Sequence, residues 1–156
     1  MTNSEQLTLE QIASGREMRG LLAPGARKAY CLAGHAIFTA RSLSTGQRFT
    51  YKVVKADGPG ELWFVRLLSG PDNEGDYQYV GVVKRHWQAG HLEFALTGKS
   101  RAGREAPSVR AISWLVRNWE DARAEVWHEG SCGRCGRRLT VPESIASGIG
   151  PTCATK

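Results

Sequence analysis

Between Gly34 and Leu96 the side chains change character at every second residue, a period that extended strands satisfy and helices do not. Ala36, Phe38 and Ala40 alternate with Ile37, Thr39 and Arg41. After a turn at Ser44-Thr45-Gly46, Phe49, Tyr51 and Val53 alternate with Arg48, Thr50 and Lys52. Asp57-Gly58-Pro59-Gly60 marks the next turn and Leu62 to Leu68 a third strand with a more continuous apolar run. Gly70 to Gly75 turns the chain again. Tyr77, Tyr79 and Val83 then alternate with Gln78, Val80 and Lys84, and His91 to Leu96 supplies a shorter fifth strand. Strands in sequence joined by short turns make an antiparallel meander with one apolar and one wet face.

An apolar sheet face requires a cover. Val109, Ile112, Leu115, Val116 and Trp119 recur at helical spacing, predicting a helix that runs to about Ala124 with Ser108 as its N-cap. The expected fold is α+β: a meander of about five strands covered by this helix, followed by a small C-terminal zinc module. Ahead of the sheet, Thr8 and Gln11 match a capping box with Leu7 and Ile12 as its staple, predicting a helix from about Leu9 to Arg19. Gly20 to Lys28, with Pro24 and Gly25, reads as a linker. The expected organisation is an N-terminal helix and linker over 1–33, sheet and covering helix over 34–126, and the zinc module over 127–156.

The zinc module is expected from Cys132-Gly133-Arg134-Cys135-Gly136. Two cysteines two residues apart bring both sulfurs onto one point, and the glycines let the backbone turn amides toward the thiolates. Gly148-Ile149-Gly150-Pro151 folds the chain back just before Cys153, and His128 lies four positions ahead of Cys132. The predicted Zn2+ ligands are therefore His128, Cys132, Cys135 and Cys153, with Cys31 and His35 open as alternative sources of the fourth. The sequence begins without a basic region followed by an apolar run, and no stretch approaches the ~20 apolar residues of a membrane span. A cytoplasmic protein is expected, and in a reducing compartment metal is favoured over a disulfide.

The run Cys132-Gly133-Arg134-Cys135-Gly136-Arg137-Arg138-Leu139-Thr140-Val141-Pro142-Glu143-Ser144-Ile145, continued by Gly148-Ile149-Gly150-Pro151 and Cys153, resembles an uncharacterised zinc-motif family of phages, prophages and actinobacteria that carries a domain-of-unknown-function label. The resemblance implies a small metal-binding module of about the last 25 to 30 residues and transfers no catalytic residue. More loosely, Gly70-Pro71-Asp72-Asn73-Glu74-Gly75-Asp76-Tyr77 and Lys99-Ser100-Arg101 resemble sequence that accompanies this module in phage-encoded proteins.

Charge distribution guides the functional expectation. Of a formal charge of +6, half sits within residues 132–156, where Arg134, Arg137, Arg138 and Lys156 face the single carboxylate of Glu143. Three thiolates and a neutral imidazole leave a zinc centre at about −1, which accounts for part of this excess. A second basic stretch, Lys99, Arg101 and Arg104, reads as a flexible loop fit to grip phosphates. With Phe49, Tyr51, Tyr77 and Tyr79 on strands as stacking candidates, the expected function is a non-enzymatic DNA- or RNA-binding accessory factor. The alternative is a protein-interaction module that inhibits or redirects a host complex such as a defence system, with the acidic turn Asp72, Glu74 and Asp76 as a further contact surface.

Catalytic readings find little support. A sulfur-rich zinc set is normally closed and a poor Lewis acid, and Trp127-His128-Glu129-Gly130 does not fit the His-x-Glu and Pro-Cys-x-x-Cys pattern of zinc deaminases. Cys31 and His35 are too close on one segment to align as nucleophile and base, and His86 and His91 read as surface residues. The five tryptophans are expected mostly to anchor the core.

Overall fold

The computed structural model describes residues 20–70 and 75–128. The helix expected over Leu9 to Arg19, the tip of the turn between Gly70 and Gly75, and everything after His128 lie outside the described residues. Strands β1 (His35–Ser42), β2 (Arg48–Lys55), β3 (Leu62–Leu68), β4 (Tyr77–Arg85), β5 (Leu92–Ala95) and β6 (Ala124–His128) form one six-stranded sheet in the order β5-β4-β3-β2-β1-β6. Every pairing is antiparallel. The first five strands are the meander that the alternation predicts, and with helices α1 (Arg27–Cys31) and α2 (Pro107–Arg117) the fold is α+β.

The sixth strand was not expected. Helix α2 stops at Arg117, short of the predicted Ala124, and Asn118 closes it by donating from Nδ2 to the Trp114 carbonyl at 2.8 Å. After the turn the period changes to two: Ala124, Val126 and His128 are buried, while Glu125 and Trp127 face outward. The helix also starts differently. Pro107 occupies its first turn, where a missing N–H costs nothing, and Ser108 lies buried inside the helix rather than at its N-cap.

The core lies between one sheet face and the two helices. Phe38, Tyr51, Val53, Val65 and Val126 point into it from the strands, and Ile112 and Leu115 descend from α2, each fully buried and worth about 2 kcal/mol by removal from water. The Tyr51 hydroxyl donates to the Ser108 carbonyl at 2.6 Å, joining β2 to the first turn of α2, and burial pushes its pKa well up. A β-bulge interrupts the pairing of β3 with β4. Val65 of β3 faces Gly81, but Arg66 faces Tyr79, so Val80 is the extra residue and turns into the core.

Residues 20–31, expected partly as linker, are tied to the sheet, the first three of them by strand-like pairing. Leu22 donates its N–H to the Val126 carbonyl at 2.8 Å and His128 donates to the Gly20 carbonyl at 2.7 Å, so this segment pairs along the free edge of β6. The approach admits only glycine at position 20, since a Cβ there would stand 2.6 Å from the His128 carbonyl oxygen. The Tyr30 hydroxyl accepts from the Ile37 N–H at 3.3 Å and donates to the Ile37 carbonyl at 2.8 Å, serving as a strand neighbour for β1. Trp63 Nε1 donates to the Leu32 carbonyl at 3.0 Å, tying β3 to the end of α1.

Arg27 is only 3% exposed, and its guanidinium donates to the carbonyls of Trp119 (3.0 Å), Asp121 (2.9 Å) and Ala124 (2.8 Å). Burial lowers its pKa, while the nearby acidic groups pull the other way. The turn it grips is also braced from within. Asp121 accepts from the Arg123 N–H at 2.9 Å and from its guanidinium at 3.0 and 2.8 Å, and that guanidinium lies 5.6 Å from the Trp114 ring centroid.

Two stability predictions follow from this turn. Arg27→Ala leaves one buried and two partly buried carbonyls without their donor and is expected to cost about 3 kcal/mol in urea unfolding, with Arg27→Lys intermediate; a loss below about 1 kcal/mol contradicts the clamp. The Arg123 hydrogen bonds hold the Asp121 carboxyl down to about 2 from its ordinary 3.8. Its contribution is therefore complete above about pH 4 and lost as pH falls towards 2. Unfolding of wild type and Asp121→Asn at a series of pH values should show a difference that closes over this interval, and a difference that stays constant would refute the assignment.

Candidate functional site

Strand alternation gives the sheet a second face, opposite the core, and neither α1 nor α2 packs on it. Its centre is a row across three strands, because Lys52 of β2 faces Arg66 of β3 and Arg66 faces Tyr79 of β4. Phe64, 38% exposed, contacts the Tyr79 ring edge-on at 6.5 Å, and the Lys52 ammonium stands over the Tyr77 ring at 5.7 Å. The β4 bulge places both tyrosines here. With strict alternation Tyr77 and Tyr79 would share the core face with Val83; the extra Val80 reverses them.

The basic loop lies beside this row. The Arg101 N–H donates to the Tyr79 carbonyl at 3.1 Å, the Tyr79 hydroxyl bonds to Thr97 Oγ1 at 2.9 Å, and the Thr97 N–H donates to Ser100 Oγ at 2.8 Å. The loop expected to be flexible is thus hydrogen-bonded onto β4, with Lys99, Arg101 and Arg104 all exposed. The three ion pairs among the described residues, Arg41–Glu125, Arg85–Glu61 and Arg123–Asp121, involve none of these cations, nor Lys52 or Arg66. Such a surface offers unpaired positive charge to an anion and ring faces to a planar group.

The other end of the second face carries Trp127 and the Arg41–Glu125 pair, with Thr39 and Thr50 joined through their hydroxyls at 2.7 Å. Of the four aromatic stacking candidates in the sequence, Tyr77 and Tyr79 lie on the face opposite the core, each half-buried among the described residues. Tyr51 is fully buried and Phe49 packs beside it at the margin of the core, with ring centroids 6.4 Å apart, so neither is available for stacking. Phe64, Lys52 and Arg66 were missed. Their positions opposite Trp63, Val53 and Val65 in the strand alternation carried the signal, once the larger apolar set is assigned inward.

His128 closes β6 opposite Phe38. It is 6% exposed, with its ring 5.5 Å from that of Tyr30. Cys132, Cys135 and Cys153, and also Arg134, Arg137 and Arg138, lie outside the described residues. The alternative ligands separate clearly. Cys31 is completely buried among core residues, and burial pushes its thiol pKa well above the usual range, against a smaller opposing pull from Arg27. His35 is exposed and points away from the core face on which His128 lies. Among the described residues no three His, Cys, Asp or Glu side chains converge, and no helix is long and apolar enough to cross a membrane.

A model described as a family of unknown function (DUF6011) matches residues 122–156, a segment that contains β6 and all four expected zinc ligands. No curated protein and no solved structure matches the chain.

Proposed function

We propose that this protein is a non-enzymatic, phage-type accessory factor that binds single-stranded nucleic acid on the open face of its sheet and carries a structural zinc ion in its C-terminal segment. The observation that carries the reading is the row Lys52, Arg66 and Tyr79, flanked by Phe64 and Tyr77 and bordered by the loop of Lys99, Arg101 and Arg104. Cations at the margin hold phosphates, and the exposed Phe64 with the half-buried Tyr77 and Tyr79 takes the faces of unpaired bases. A duplex buries its base faces and gains only the electrostatic part, which is why single strands fit best.

Zinc would be held by His128 with Cys132, Cys135 and Cys153. His128 suits the role because its backbone is pinned to Gly20 and its ring is held beside Tyr30 at the last residue of β6. Bound there, the ion supplies folding energy rather than Lewis acidity, since three thiolates satisfy most of its demand for charge. Arg134, Arg137 and Arg138 would offset the thiolate charge and add positive charge for the same anionic partner.

Two measurements test this. Fluorescence anisotropy should show that Lys52→Glu with Arg66→Glu, or reversal at Lys99, Arg101 and Arg104, weakens single-strand binding more than tenfold and lowers the salt slope by about 0.7 per lost phosphate contact. Tyr79→Ala should weaken binding with the slope unchanged. Absent or salt-independent binding to both single- and double-stranded oligonucleotides sinks the proposal. Metal analysis of the purified protein should find about one zinc per chain, reduced by Cys132→Ser, Cys135→Ser and His128→Ala but not by Cys31→Ala. Undiminished zinc in the two serine variants would remove the assigned ligand set.

A further inference from the structure

At the end of β4 away from the basic loop, the turn from Arg85 to His91 displays an indole to solvent. Trp87 is 84% exposed, whereas Trp63 is buried and Trp114 and Trp119 pack against the core. The turn beneath it is rigidly built. His86 Nδ1 accepts from the N–H groups of Gln88 (3.2 Å) and Ala89 (3.0 Å), and the His86 N–H donates to the His91 carbonyl at 2.7 Å. Gly90, at φ 76°, donates to the His86 carbonyl at 3.0 Å, and the Arg85 guanidinium donates to the Gly90 carbonyl. The ordered turn thus holds a large apolar ring in water in a fixed position, available to a partner.

The rings indicate which partner. Trp87 lies nearly parallel to His86, at 14° and 6.4 Å between centroids, and His86 lies nearly parallel to His91, at 23° and 5.3 Å. Arg117 fixes the inner end by donating to His91 Nε2 at 2.8 Å. Three offset, near-parallel rings, anchored at one end and open at the indole, form a column that a planar aromatic group extends and an aliphatic side chain does not. Lys84 and Arg85 flank the turn as cations, with Lys84 opposite Glu93 and Arg85 paired to Glu61.

We infer that Trp87 is a second stacking point for the same nucleic acid strand, receiving a base at the far end of β4 from the Tyr79 row. The inference rests on the nucleic-acid reading above. From Tyr79 to Arg85 the strand advances roughly 20 Å, and Trp87 lies beyond it, so a strand of a few nucleotides reaches one point and a longer strand engages both. Linking the two contacts in this way gains affinity without enlarging either.

The test compares a four-nucleotide and a twelve-nucleotide oligothymidylate binding to the full-length protein and to Trp87→Ala and Trp87→Phe, with circular dichroism melting to establish that the variants are folded. Trp87→Ala is expected to weaken the longer oligonucleotide about tenfold, as loss of one stacked base does, leaving the short one unchanged. Trp87→Phe should restore most of the loss. Unchanged binding of the twelve-nucleotide strand, or an equal loss at both lengths, overturns the second stacking point while leaving the sheet-face reading standing. Failure of the wild-type protein to bind either strand overturns both.

Discussion

A buried guanidinium with three carbonyl partners is the constraint on which the far side of this fold depends. Arg27 cannot be deprotonated at working pH and sits out of water, so its hydrogen bonds must be made by whatever surrounds it. What surrounds it is the backbone of residues 119 and 121, in the turn after α2, and of Ala124, the first residue of β6. Holding them draws the chain out of the helix and delivers Ala124 to the edge of β1 in register for a strand. The Asp121–Arg123 brace keeps the same turn closed from its outer side. Removing the clamp would therefore loosen more than three hydrogen bonds, because β6 and the residues 20–22 that pair with it both take their position from that turn.

Much of the sheet was legible in the sequence because local alternation and turn residues specify it. The third strand, Leu62–Leu68, coincides with its predicted span, and the meander order needs only short connections. What sequence could not convey are properties set by distant partners. β6 is short, its neighbour β1 lies some eighty residues earlier, and the apolar helical spacing through Trp119 runs directly up to it. Residues 20–28 look like linker because Pro24 and Gly25 interrupt them, yet Leu22 and Arg27 are buried by contacts made near the other end of the described chain.

Assignment of aromatic residues to faces shows the same limit in a sharper form. Period two divides a strand into two sets without saying which is inside. Tyr51 goes inward because its hydroxyl finds the Ser108 carbonyl, a partner invisible along the strand. Tyr77 and Tyr79 go outward because one extra residue, Val80, shifts the phase of β4. The candidate surface thus owes its two tyrosines to an irregularity, while the basic loop beside it was readable from composition and only its attachment to Tyr79 was not. His128, by contrast, has a defined place as the last residue of β6, on its core side.

The way residues 20–22 lie along β6 bears on how the molecule comes into being. The two partners are separated by nearly the whole described chain, as the 97 positions between Arg27 and Ala124 illustrate. During synthesis the meander strands emerge one after another and can pair at once, but β1 keeps an open edge, and Leu22 and Arg27 have no counterpart, until the chain has been made past Ala124. Closure of that edge is accordingly the last event in forming the sheet. Up to that moment the nascent protein exposes an unpaired strand beside a half-covered core, the state in which a chaperone or a neighbouring copy would find most to hold.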